Sequence, residues 1–479
     1  MAHKPFITLF AAVTLSGCTM IPEYTQPEFS AAKNWESVPG YEVPAGGQLA
    51  TQMAWTEFFL SPDVHLIIAT ALENNRHLKT AALNIAEARA LYRIERADLY
   101  PRLNLNSNAT ISKSSDESSS TGRANKTELY EANLGVAYEL DLFGRIRSNN
   151  EAAINAYLAT QEARNVIRNA LIAETANAYF QLLADQKLLL LTQKTLQAQQ
   201  STYDILSQSL EKGFSTAQDV ARVVTAIETA RVNLHQYNRL VAQDKNALFL
   251  LMGIPQDNEF LPKTTLDEIM IKDNLEPGMP SEILLMRPDI RQAEYELLSR
   301  NANIGAARAA FFPSISLTGT YGFASQNLGE LFSSGARGAW AFIPQVTLPI
   351  FQGGSNRANL KLAEIRKEKA VVNYEQAIQT AFREVSDGLA ARETLDEQLK
   401  AQNRLVDAAQ KVHDISNARY NAGIDSFLSV LDSQRELYAF QQQKILVERE
   451  RLFNLVNLYK VLGGGSMHTE QRVAYPGNH

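Results

Sequence analysis

The sequence predicts a mixed α and β membrane protein, written as an internal tandem repeat, with four transmembrane β-strands per chain and very long helices outside the membrane. Three observations predict it. Pro101 recurs as Pro313, Leu140 as Leu348, Gly213 as Gly423 and Gly253 as Gly463, an offset of 208–212 residues. A solenoid repeats every 20–50 residues, so this is one large unit duplicated. Four segments of about 11 residues alternate apolar and polar side chains, and about 11 residues is the span of a tilted membrane strand. Residues 145–212 and 354–421, 68 residues each, hold no proline and only Gly354 and Gly388, which allows roughly 100 Å of helix at 1.5 Å per residue.

The elements follow in order. The chain opens with Lys4 and a short apolar stretch from Pro5 to Leu15, too short to span a membrane, then Leu15-Ser16-Gly17-Cys18. This resembles a bacterial lipobox, which is cut before the cysteine, and the cysteine is then lipidated; an ordinary secretory signal with a chance cysteine is the competing reading. Cys18 is the single cysteine of the chain, so no intrachain disulfide forms, and lipidation gives a lone exported thiol a purpose. Thr19 follows, where an aspartate would tend to mark retention at the inner membrane, so an outer-membrane destination fits. One lipidated terminus anchors a chain without spanning the bilayer.

Residues 19–60 read as extended or irregular, and 61–97 as one helix with Leu66, Ala69, Leu72, Leu83, Ala86, Ala90 and Ile94 on its stripe, ended by Pro101. Period 2 then takes over. Strand 102–112 sets Leu103, Leu105, Ala109 and Ile111 against Asn104, Asn106, Asn108, Thr110 and Ser112. A Ser-rich loop, 113–128, precedes strand 131–143. In the second copy the strands are 314–324 and 339–350; Pro344 and Pro349 mark the latter as bending or ending where it leaves the sheet. Helices 217–252 and 425–462 follow the glycine breaks, and Val220, Val223, Ile227, Ala230, Leu234, Tyr237 and Val241 form a coiled-coil seam. Gly388 is the weak point of the second long helix.

The expected organisation is a signal peptide at 1–17, a lipidated extended segment at 18–60, the first copy at 61–253, a Pro-rich linker at 254–286, the second copy at 287–462 and a tail at 463–479. A soluble sandwich with polar-tipped hairpins is the competing reading of the strands. Apolar-outside, polar-inside alternation with aromatics near strand ends (Tyr100, Phe311, Phe312, Trp340, Phe342) favours a barrel. Four strands cannot close one, and open edges are not viable in lipid, so the chain must oligomerise to 8, 12 or 16 strands. Helices of this length must cross an aqueous space.

Composition excludes other classes. Net charge is -6 with 20% charged residues and no clustered basic face, so no nucleic-acid partner is expected. The seven histidines are scattered with no pair at i, i+4, and neither a Gly-x-Ser-x-Gly elbow nor a phosphate loop is present, so neither a metal site nor an enzyme is indicated. No cofactor is expected beyond covalent lipid on Cys18.

The run from Asn303 through Phe311-Phe312-Pro313, the stretch Gln376 to Arg392, Arg419-Tyr420 through Asp432-Ser433-Gln434-Arg435, and Asn457-Leu458-Tyr459-Lys460 before Gly463-Gly464-Gly465 carry a resemblance. Over nearly the whole mature chain the sequence resembles the TolC-like outer-membrane efflux factors, OprM-type lipoproteins in particular. The resemblance implies a homotrimer with a 12-stranded barrel, a 12-helix periplasmic tunnel, and a belt built from the termini and the linker. It also implies a periplasmic adaptor protein and an inner-membrane pump as partners. Matched residue by residue, Leu428 and Asp432 form constricting rings at the periplasmic tips, Tyr420 and Arg435 hold the inner helix pair closed, and Asp219 reaches that tyrosine. The tip residues Gly213, Phe214, Ser215, Gly423, Ile424 and Ser426 are the implied adaptor contacts. Three leucines would dry a pore, and three aspartates would attract cations.

Spacing alone leaves other roles open: Leu428 as a seam residue, Asp219 and Asp425 as first-turn carboxylates favoured by the helix dipole, Tyr420 as a packing residue, the glycines as helix caps. At the level of function, the same duct serving protein secretion or metal export competes with drug efflux. A structural envelope lipoprotein is a third reading, though a tether needs no polar-faced strands.

Overall fold

The structure is a computed structural model that describes residues 19–27, 48–115, 125–257, 259–276, 286–333 and 337–465. Cys18 and the tail beyond Gly465 lie outside the described residues. In chain order the elements are β1 Gln48–Leu49, α1 Trp55–Phe58, α2 Pro62–Asn74, α3 Arg76–Ala97, β2 Arg102–Lys113, β3 Lys126–Leu140, α4 Arg145–Glu211 and α5 Ala217–Met252. They continue with β4 Leu275–Glu276, α6 Pro288–Ala309, β5 Ser314–Ser325, β6 Arg337–Thr347, α7 Ser355–Asn421 and α8 Phe427–Val461. Three short 3-10 turns complete the list of described elements.

Among the described residues the chain forms two compact units, and they do not coincide with the two sequence copies. One comprises the described parts of Met1–Glu28, Asn84–Gln161 and Gln292–Glu375; the other comprises the described parts of Phe29–Leu83, Glu162–Arg291 and Gln376–His479. Each unit draws on both copies.

The first unit holds an antiparallel sheet in the order β2-β3-β5-β6. Its central pairing, β3 with β5, joins one copy to the other. The register gathers polar and apolar side chains on opposite faces. Asn106, Asn133, Gly322 and Ala339 lie in one cross-strand row, and Asn104, Gly135, Thr320 and Ala341 in the next row on that face. On the other face Leu105, Leu134, Tyr321 and Trp340 form a row, followed by Leu103, Val136, Gly319 and Phe342. Leu103, Leu105, Tyr321, Trp340 and Phe342 are all exposed in the single chain.

Three strand ends differ from expectation. β3 starts at Lys126, inside the stretch assigned to loop. It stops at Leu140 because Asp141 turns to cap α4, its carboxylate accepting from the backbone nitrogens of Ile146 at 3.0 Å and Arg147 at 2.8 Å. β6 ends at Thr347, before Pro349, while Pro344 stays in the strand opposite Leu317. It is tolerated there because β6 is an edge of this chain's sheet.

The second unit is helical. Its core packs Phe58 and Phe59 with Ile67 and Ile68 of α2, Phe180 and Leu183 of α4, Leu248 of α5, Val385 and Leu389 of α7 and Val456 of α8. The Tyr459 ring stacks on Phe58 at 4.3 Å and its hydroxyl donates to the Met53 carbonyl at 2.7 Å. Linker residues are stapled to the helices: Lys187 bridges Asp267 at 2.6 Å and Glu448 at 2.7 Å, and Arg392 donates to the Leu275 carbonyl at 3.1 Å. β1 pairs with β4 in parallel, so residues before the first copy meet the linker.

The single helix expected over 61–97 is two helices. Asn75 breaks it: its backbone nitrogen closes α2 on the Ala71 carbonyl at 2.8 Å, its Oδ1 caps α3 by accepting from the Leu78 nitrogen at 3.1 Å, and its Nδ2 donates to the Leu251 carbonyl of α5 at 2.8 Å. The expected stripe is also displaced, since Val64, Ile67, Ile68 and Ala71 are buried while Leu66 and Leu83 are exposed. Gly388 does not weaken α7; a Cβ there would lie 3.1 Å from Leu458, so the glycine lets α7 and α8 approach closely. Among the described residues no helix is long and apolar enough to cross a membrane.

Candidate functional site

The two glycine turns of the second unit share one backbone motif. Gly213 donates to the Leu210 carbonyl at 3.0 Å and Phe214 to the Ser209 carbonyl at 2.8 Å. Gly423 and Ile424 repeat this on Tyr420 at 2.8 Å and Arg419 at 2.9 Å. These are Schellman caps, which need a left-handed residue after the helix; Gly213 has φ +76° and Gly423 φ +71°. In this motif the residue after the glycine usually packs back on its helix. Here it does not: Phe214 is 85% and Ile424 63% exposed. Each turn therefore displays one large apolar side chain.

The outgoing helices start differently. Thr216 caps α5, its hydroxyl accepting from the Asp219 nitrogen at 3.1 Å and donating to the Asp219 carboxylate at 2.6 Å. Ser426 stands at the cap of α8 but makes no side-chain cap bond. Asp425 is outside the helix rather than in its first turn. Its carboxylate accepts from Arg419 across the turn, 2.5 Å from Nε and 3.3 Å from Nη2, and this holds its pKa below the ordinary carboxylate value. The Arg419–Asp425 pair is only faintly written in the sequence. Its one signal is an opposite charge six residues along, straddling Gly423.

A small core joins the two hairpins: Leu206 from α4, Val223, Ala226 and Ile227 from α5, and Phe427, Val430 and Leu431 from α8. Tyr420 packs against it, its ring edge-on to Phe427 at 5.4 Å. Within the chain the Tyr420 ring rests on Phe427 and the Asp219 carboxylate accepts from Thr216.

Leu428, Asp432 and Arg435 share one face of α8, beside the face that Phe427, Val430 and Leu431 turn to this core. Leu428 is 38% exposed, so it is not a seam residue within the chain, a role that falls to Phe427, Val430 and Leu431. Asp432 and Arg435 are both exposed and 3.7 Å apart, an ion pair at i, i+3. Ser215 is half-buried at the first turn, while Gly213, Gly423 and Ser426 are exposed. No three His, Cys, Asp or Glu side chains gather as a metal site among the described residues.

A model of the outer membrane efflux protein family matches residues 67–254 and 279–464, one stretch in each copy. The chain belongs to this family. It is 46% identical to the probable efflux pump outer membrane protein TtgC of Pseudomonas putida over 456 residues, 95% of this chain and 94% of that one. Outer membrane protein OprJ of Pseudomonas aeruginosa is 39% identical over 458 residues, 95% of each chain. Among solved structures, the open state of the Neisseria gonorrhoeae MtrE outer membrane channel superposes with TM-score 0.85 at 38% identity, covering 94% of this chain and 98% of that one. The protein is therefore an outer-membrane component of an efflux system, from a family of channels rather than enzymes, and helix-rich with a mixed α and β fold.

Proposed function

We propose that three copies form the exit duct of a tripartite pump, which takes substrates from a periplasmic adaptor and an inner-membrane pump and releases them outside. The observation that carries this is the sheet: its faces are sorted into polar and apolar, and β2 and β6 each have one neighbour in the chain. Both outer edges need a strand before the sheet can sit in lipid. Three copies supply a 12-stranded barrel with the polar face inward, and their long helices supply a 12-helix tunnel. Cys18, lipidated, adds a second attachment to the same membrane.

At the tips, Leu428 and Asp432 supply the constricting rings, and Arg435, Tyr420 and Asp219 stabilise the closed arrangement. The exposed Phe214 and Ile424, presented by Gly213, Ser215, Gly423 and Ser426, are the adaptor contacts. Support comes from their exposure and from the family match. The named activity of relatives such as the toluene efflux pump outer membrane protein TtgC suggests small apolar or amphipathic substrates. The test is native mass and planar-bilayer conductance of the purified protein. A trimer mass with discrete ion-conducting steps is expected; a folded monomer or a non-conducting trimer would reject the duct.

A further inference from the structure

Residues 19–27 lie outside both copies of the repeat, yet they are held along their length. Ile21 sits against α6 at Gly305, where a Cβ would fall 2.6 Å from Ile21 Cγ1 and 2.9 Å from its backbone nitrogen. The same Cβ would lie 2.6 Å from the Ser148 hydroxyl oxygen of α4. One turn away, Asn301, 2% exposed, donates Nδ2 to the Pro22 carbonyl at 2.9 Å. Two turns further on, the Tyr24 hydroxyl donates to Glu294 at 3.3 Å, and Gln26 donates Nε2 to the Tyr374 hydroxyl of α7 at 2.9 Å. The segment therefore runs antiparallel to α6. Glycine is disfavoured inside a helix, so its presence at 305 is explained by the close backbone approach it permits.

The location matters more than the contacts. Ser148 is in the first turn of α4, which follows β3, and Gly305 is in the last turns of α6, which leads into β5. β3 and β5 form the pairing that joins the two copies. We propose that residues 19–27 are a clasp: an extended peptide, apolar at Ile21 and Pro22, that docks on Asn301, Glu294 and Tyr374 and seats Ile21 where Gly305 of α6 approaches Ser148 of α4, and so holds the roots of β3 and β5 together. The clasp acts through the folded chain alone and needs no modification of Cys18.

The test uses the mature full-length protein in detergent. Tyr24→Phe with Tyr374→Phe removes both hydroxyls and keeps both rings; Gly305→Leu is the harsher variant. Two readouts are taken: cleavage after the exposed Glu23 by a Glu-specific protease, and the temperature at which the strand signal is lost in circular dichroism. The double variant is expected to be cut roughly ten-fold faster, the effect of losing two ordinary hydrogen bonds, and to lose its sheet at a lower temperature. Gly305→Leu should exceed it in both. Unchanged cleavage would show that these residues do not hold the segment. Faster cleavage with an unchanged sheet transition would show a passive tail. The mass of the N-terminal peptide is read in parallel, so altered acylation is not mistaken for either.

Discussion

Asp244 of α5 is a carboxylate at odds with its surroundings. Burial and the neighbouring carboxyl of Asp185 on α4 push its pKa up to about 7, with Arg449 of α8 opposing. Asp185 is itself 2% exposed and accepts from Gln181 at 2.8 Å. Between pH 3.8 and about 7 the folded chain keeps a proton that the unfolded chain has released, so stability falls as pH rises through that window and levels off above it. Asp244→Asn, which keeps a donor for Asp185, is expected to stabilise the protein above pH 7 by about 1–2 kcal/mol after allowance for solvent screening, and to flatten the slope. Thermal midpoints at pH 5 and pH 8 check this; an equal pH dependence in the variant would refute it. No periodicity in the sequence announces such a pair, because its members are far apart in the chain and meet only when α4 and α5 pack.

At the scale of elements, the long helices and the glycine turns were legible, since proline and glycine punctuate the chain where helices stop. The strand faces were legible too, from alternation alone. The break at Asn75 was not, because asparagine interrupts a helix only weakly unless a partner such as the Leu251 carbonyl fixes it. The tips combine both cases. Gly213 and Gly423 predicted the turns, but the outward display of Phe214 and Ile424 is a property of the folded motif. If that display serves docking, Phe214→Ser with Ile424→Ser should raise dye retention in cells several-fold and leave bilayer conductance at the native value, since neither side chain supports a core. Normal efflux by the variant would move the contact elsewhere.

For the whole molecule, the proposed duct depends on surfaces that one chain leaves open: two sheet edges, an apolar sheet face, and the face of α8 bearing Leu428, Asp432 and Arg435. Asp432→Ala with Arg435→Ala is expected to raise single-channel conductance, because an exposed ion pair is removed at little cost to folding while three copies of the proposed constriction are loosened. Well-folded trimers with native conductance would exclude this face from the gate.

The sequence by itself determined the duplication, the lengths of the helices, the two faces of each strand and the family, because all of these are written in local period, punctuation and long matching stretches. Tertiary structure alone decided that both compact units mix the two copies, that Lys187 pairs with Glu448, and that residues 19–27 settle on α6. The physical reason is the same in each case. A hydrogen bond, an ion pair or a buried contact between residues distant in the chain has no signature in the spacing of either partner, and it exists only once packing brings them within a few ångströms.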